Sequence, residues 1–260
     1  MRNLISAFTV GMITVLSVGA TAPAADWGSL KGRFVVDGTT AAPAPISITK
    51  DPEFCGQHKL VSNAVVVGKG GELANAVVFL RAPLGKKVEV HPDYEAKLKE
   101  PVVLDNHFCT FTPHIVLLRV GQKLQIKNSD PVGHNTKIDL FSFNQSVGAN
   151  GQAEVVNSKD FALPSPVECN IHPWMKAHLV SQAHPYMAAS AEDGTFEIKN
   201  IPAGVNEFQF WHEAPGYLKN VKLKPGSTDA RGRVKLTIPA GQTLDLGDIK
   251  VPAAILKAKN

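Results

Sequence analysis

The sequence is poor in aromatic residues (7%), holds only three cysteines and has no excess of one charge: 27 Lys and Arg stand against 23 Asp and Glu. Basic side chains are scattered among acidic ones and not interleaved with aromatics, so nucleic acid is excluded as a partner. There is no Gly-x-Ser-x-Gly elbow and no His-Glu-x-x-His pair, which removes the usual serine-hydrolase and zinc-peptidase signatures. The "GKGG" at 68–71 lacks the Lys-Ser/Thr ending of a phosphate loop and reads as a hairpin turn. Beyond the first 25 residues no run approaches the roughly 20 apolar residues of a spanning helix, so no membrane span is expected after leader removal.

What is present begins with that leader. Arg2, the apolar "LISAFTVGMITVLSVGA" and the small residues of "TAPAAD" form an export signal over residues 1–24, with cleavage after Ala24. Gly11, Thr14, Ser17 and Gly19 interrupt the apolar run and argue against a retained anchor. The mature chain is therefore expected in the periplasm or outside the cell. In such a compartment cysteines pair, and with three of them one is left over and needs a reason.

Short runs of Val, Ile, Leu and Phe bounded by Gly, Pro, Asn or Asp recur along the chain, as in "GRFVVDG", "HIVLLRVGQKLQIKNSD" and "DGTFEIKNIPAG". These are strand and turn signals. Only "PDYEAKLKE" near residues 92–100 looks helical. The fold class is all-β and sandwich-like.

The unpaired thiol sits in "CNIHPWM", where Cys169, His172 and Met175 are spaced by threes. A tight loop between adjacent strands can aim all three at one point, whereas a strand would scatter them over both faces. A further donor is at hand in "NSDPVGHNTKI", where a strand ends at Lys127, a turn follows and His134 opens the next strand. One thiolate, two imidazoles and a weak axial thioether make the ligand set of an electron-transfer copper site: the soft sulfurs suit Cu(I), and imidazole accepts both oxidation states. Zinc could use the same donors, although structural zinc sites seldom include Met. The alternative is a buried structural thiol in a site that has lost its metal.

The segments "GQKLQIKNSDPVGHNTKI" and "CNIHPWMKAHLV" resemble the cupredoxins, the blue-copper proteins, with an amicyanin-like ligand loop, over about residues 101–187. The resemblance implies a Greek-key sandwich holding one type 1 copper on His134, Cys169, His172 and Met175. It further implies that Asn135 braces the two ligand loops, that His172 lies nearest the surface, and that Pro173 and Trp174 form an apolar patch where a redox protein docks transiently. The expected activity is single-electron shuttling. A copper enzyme would need a second copper site, no His-x-His cluster is visible, and the chain is expected not to be an enzyme in its own right.

Around this segment, "LKGRFVVDG", "LANAVVFLRAP" and "SAEDGTFEIKNIPAGVNEFQFWHEAPGYLKNV" resemble a transthyretin-like or carboxypeptidase-regulatory-like β-sandwich. Residues 25–100 and 188–260 would then be two parts of one sandwich, with the copper domain at 101–187 inserted between them; the alternative is two tandem domains divided near residue 188. Because such sandwiches include binding modules, the competing function is a secreted carbohydrate- or protein-binding scaffold without catalytic activity. Trp211 and Tyr217 would be the residues to stack on a polysaccharide, although core roles are the default for both.

Cys55 and Cys109 make an even pair and are disulfide candidates. The rival use is a second metal site built from Cys55, His58, His107, Cys109 and His114. A second "HPYM" at His184–Met187 lacks a preceding cysteine and is expected to pack as a strand end, and ordinary structural roles are expected of His178 and His212.

Overall fold

The computed structural model describes residues 27–257, and the export signal expected at residues 1–24 lies outside them. The all-β expectation holds: the described chain is a succession of strands arranged in stacked sheets, with a few helical turns.

One sandwich is built from the two ends of the chain. Trp27–Asp37 lies between Thr195–Pro202, antiparallel, and Thr243–Pro252, parallel. Facing it is a sheet in the order Met187–Ala189, Val77–Leu80, Gly204–His212 and Gly216–Tyr217, with Arg233–Ile238 also paired to Gly204–His212. In Thr195–Pro202 the alternation is plain: Phe196 and Ile198 turn into the core while Thr195, Glu197 and Lys199 face water. Leu30, Phe34, Val78, Phe208, Phe210 and Ile249 fill the space between the sheets. Along the parallel pair the register slips between Lys31 and Arg33, and the extra residue is absorbed at Gly247, whose φ of 63° suits glycine.

The second sandwich is formed by the strands between Val102 and Gln182. Its four-stranded sheet runs Thr110–Thr112, Val102–His107, Lys123–Asn128, Gln152–Val156, and its five-stranded sheet runs Ile115–Arg119, Lys176–Gln182, Ser165–Glu168, His134–Ile138, Phe143–Val147. Each sheet contains one parallel pair, Val102–His107 with Lys123–Asn128 and Ile115–Arg119 with Lys176–Gln182. Parallel neighbours need crossover connections, which gives the fold its Greek-key character. Leu104, Val116, Leu118, Ile126, Val167 and Leu179 are among the core residues.

Val77–Leu80 is buried on both faces. Val78 and Leu80 serve their own core, while Val77 and Phe79, with Trp211, meet Ile115 and Val180 of the second sandwich. The two lobes thus share an apolar seam, which orients them without a linker's freedom.

The segment between Trp27–Asp37 and Val77–Leu80 crosses from the first lobe to cover the second. Ile46 N–H donates to Leu60 O at 2.9 Å and closes its base, and between these points the chain forms a helical turn, Pro52–Cys55, followed by a 3-10 turn, Gly56–His58. Proline in the first turn, where no backbone donor is needed, starts the helix. Ile48, Phe54, Cys55 and Leu60 pack into the core of the second sandwich. Cys55 and Cys109 are joined as a disulfide, with Cα atoms 5.6 Å apart. A crosslink between cysteines 54 residues apart stabilises the fold by about 4 kcal/mol in the chain-entropy account.

Candidate metal centre

Ser165–Glu168 and Lys176–Gln182 pair antiparallel, so the seven residues from Cys169 to Met175 form the loop at the end of a hairpin. Two backbone bonds curl it: Cys169 N–H donates to Met175 O at 3.3 Å and Met175 N–H to His172 O at 2.9 Å. His134 starts the neighbouring strand, which meets the hairpin at Glu168 and Lys137. The loop and the strand start lie at one end of the sheet, and their side chains converge.

His134 Nδ1 and His172 Nδ1 are 2.9 Å apart, and Cys169 Sγ lies 3.8 Å from His172 Nδ1. All three residues are buried. Donors placed around an ion in a plane, at roughly 2.0 Å for nitrogen and 2.3 Å for sulfur, stand about 3.5–3.8 Å from one another. The sulfur–nitrogen spacing matches this, and the two nitrogens are about half an ångström closer. Met175, 1% exposed, packs in the same core as Cys169.

The outward nitrogens explain the inward ones. His134 Nε2 is 2.8 Å from Asp130 Oδ2, and His172 Nε2 is 2.8 Å from Asp51 Oδ2. Ionised carboxylates only accept, so each ring donates its Nε2–H and turns an Nδ1 lone pair toward the other ring. Two lone pairs facing across 2.9 Å repel unless a cation lies between them, a metal ion or an additional proton. The Cys169 sulfur accepts from the backbone N–H groups of Asn135 and His172, each at 3.3 Å. Burial works against a thiolate here, but the two imidazoles and these two N–H groups outweigh it and bring the Cys169 thiol down to about 6. Burial likewise opposes charge on His134, yet Asp130 and Cys169 hold its pKa above the usual histidine value. Asp130 is desolvated too, and His134 with the N–H groups of Cys109 and Phe108 keeps its carboxyl below the usual range.

Asn135 links the loops, accepting from Asn170 N–H at 3.2 Å on Oδ1 and donating to Asn144 Oδ1 at 2.9 Å. Pro173 is exposed; Trp174 is half-buried and donates its indole N–H to Cys109 O at 3.1 Å. His172, expected nearest the surface, has its ring against the part-exposed Asp51. His172 is 0% exposed, because the segment holding Asp51 closes over it.

Asp51 and Asp130 were both missed by sequence reasoning. Asp130 had a signal, since it precedes His134 by four residues and the intervening turn brings it back. Asp51 had none: it stands 121 residues from its partner. Its backbone is left-handed, φ 45°, and its side chain caps no helix N–H, which leaves the carboxylate for His172.

The disulfide removes Cys55 and Cys109 from the metal site weighed as their alternative use. His184 and Tyr186 are buried and Met187 is half-buried against the seam. Trp211 is buried between the lobes and so is not offered to a sugar.

No family model matches the sequence, and no curated protein matches it. Solved structures do. A copper-containing nitrite reductase from Thermus scotoductus SA-01 is 19% identical, with 39% of this chain and 25% of that one covered at a TM-score of 0.29. A reduced Cu(I) form of an amicyanin mutant is 16% identical over 32% of this chain and 83% of its own, TM-score 0.29. A purple cupredoxin from Nitrosopumilus maritimus is 18% identical over 31% and 97%, TM-score 0.27. The chain spans about a quarter of the reductase. An enzyme stands among these structures, and the expectation that the chain is not an enzyme in its own right is withdrawn. Among the described residues a second group of possible ligands, His114, His178 and Glu213, far apart in sequence, converges in the fold.

Proposed function

We propose that the chain is an exported mononuclear type 1 copper protein that passes single electrons to and from a redox protein. The observation carrying this reading is the donor set: a low-pKa thiol beside two imidazoles whose outer nitrogens are tied to carboxylates. His134, Cys169 and His172 would hold copper, with Met175 as the weak axial donor. Copper bound there would alternate between Cu(I) and Cu(II).

The residues around it are suited to that task. Asp130 and Asp51 fix both imidazoles in the tautomer that presents Nδ1. The N–H groups of Asn135 and His172 support negative charge on the Cys169 sulfur. Because loops and covering segment are cross-braced, the donors are held against rearrangement when the charge at the site changes. A partner would approach across Pro173, Trp174 and the Asp51 turn, since His172 itself is covered.

We further propose that residues 101–187 are inserted into a transthyretin-like sandwich formed by 25–100 and 188–260. Support comes from Val77–Leu80 and Met187–Ala189, which flank the inserted stretch and pair directly, so the host's two ends lie together. Export, to the periplasm or outside the cell, is supported by the leader sequence and the disulfide. Among the described residues no helix is long and apolar enough to cross a membrane.

An optical spectrum of the Cu(II)-loaded mature protein, with metal analysis, tests the reading. An intense band at roughly 600 nm with one copper held at Cys169 is the expected result. A colourless protein without stoichiometric copper would overturn it and favour the binding scaffold.

A further inference from the structure

The junction between the two sandwiches carries a second convergence of donors. Ile115–Arg119 and Lys176–Gln182 are parallel neighbours, and His178 N–H donates to His114 O at 2.8 Å. His114 and His178 therefore leave the sheet side by side, with ring centroids 6.0 Å apart. Glu213 arrives from the other lobe, immediately after the strand Gly204–His212. Its Oε2 is in hydrogen-bond contact with His114 Nε2 and lies 3.3 Å from His178 Nδ1. One ligand atom from each residue falls within 4.8 Å of the others.

Two features separate this cluster from an ordinary surface ion pair. The side chains of His114, His178 and Glu213 are only 8%, 15% and 14% exposed. His178 Nδ1, although close to the carboxylate, is too poorly aligned to hydrogen-bond, and it is buried without a partner. His178 packs on Trp211, ring centroids 5.0 Å apart, so its ring is held in place. A cleft of about 480 Å3, lined by His178, Glu213, Trp174 and Pro173 among others, reaches the cluster from outside.

We propose that His114, His178 and Glu213 form a second metal site, for a divalent first-row transition ion of fixed valence such as Zn(II), that fastens one sandwich to the other. Two imidazoles and one carboxylate are borderline donors suited to these ions, whereas Mg(II) and Ca(II) prefer oxygen alone. Three protein donors leave a coordination position open toward the cleft. The ion would take both His178 Nδ1 and the Glu213 carboxylate as ligands, giving the unpartnered nitrogen a role. The inference does not depend on copper at Cys169.

Zn(II) titration followed by native mass spectrometry tests it, with thermal melting as the second readout. In a Cys169→Ala background, which removes the thiolate of the other site, one Zn(II) should remain bound and raise the unfolding temperature. Adding Glu213→Gln or His178→Gln should abolish both the bound ion and the shift. Wild-type protein already loaded with one Cu(II) should still take up one Zn(II), a measurement needing no variant to fold. The proposal is overturned if copper-loaded wild type takes up no Zn(II), or if Glu213→Gln leaves the uptake unchanged. Failure of the copper reading would instead appear as absence of the blue band, with Zn(II) uptake at Glu213 intact.

Discussion

His134 and His172 have their outer nitrogens tied to carboxylates and their inner ones facing each other across 2.9 Å beside a thiol. His114 and His178 share a single carboxylate, and it belongs to the other lobe. The first cluster is built within the core of one sandwich and is closed by a covering segment; the second exists only because two sandwiches meet. Their chemistry differs accordingly. A thiolate with two oriented imidazoles suits a redox ion, while two imidazoles and a carboxylate at a junction suit an ion that does not change valence and acts as a fastener.

The largest effect that separates them is the loss of the thiolate. Cys169→Ala should abolish the intense visible band entirely, because that absorption requires sulfur on Cu(II), and should leave Zn(II) uptake at His114, His178 and Glu213 unchanged. Absorption spectra and metal stoichiometry on one sample read both. Persistence of the intense band in Cys169→Ala would remove the assignment of the sulfur ligand.

Acid should distinguish the two regions next. Burial pushes His184 and His212 down to about 4; they lie 2% and 1% exposed, His212 next to Glu213. As the pH falls from about 6.5 toward 4, the unfolded chain takes up protons on these residues and the folded chain does not, so stability falls through that window and levels off below it. A shift from 6.5 to about 4 corresponds to roughly 3 kcal/mol for each group. His134 acts in the opposite sense: its pKa is raised, so its contribution is fully present below about 6.5 and is lost as the pH rises through the folded value. Cys169, whose thiol is brought down to about 6, acts in the same sense as the two buried histidines, so the net trend is a loss of stability toward acid. Urea unfolding of the metal-free protein at pH 7, 5.5 and 4 should show declining stability, and a flat profile would contradict the assignment.

The same contrast explains what could be read in the sequence. The meeting of Cys169 and His172 was legible because a tight loop converts close spacing into convergence, and that of His134 because it follows a turn signal at a strand start. Alternating apolar residues around Phe196 and Ile198 identified a half-buried strand. Asp51 and Glu213 were not legible: one reaches His172 across 121 residues and the other reaches His114 across 99. No periodicity encodes such pairings, which arise when one lobe's loop lands on another's sheet. His178 looked ordinary for the same reason, since its partners lie on a neighbouring strand and in the other lobe.

The smallest effects lie within the cluster of His134, Cys169 and His172, between its two supporting carboxylates. Asp130 is 1% exposed and accepts from His134 and from the N–H groups of Phe108 and Cys109. Asp130→Asn should weaken copper binding by about 10- to 100-fold, the usual consequence of losing a carboxylate behind a metal-binding imidazole. The Asp51 side chain is 42% exposed, and water can take over its contact with His172, so Asp51→Asn should weaken binding by less than about tenfold. Competition against a chelator of known affinity measures both. An effect of Asp51→Asn as large as that of Asp130→Asn would mean that the covering segment, not the buried carboxylate, is the main support of the site.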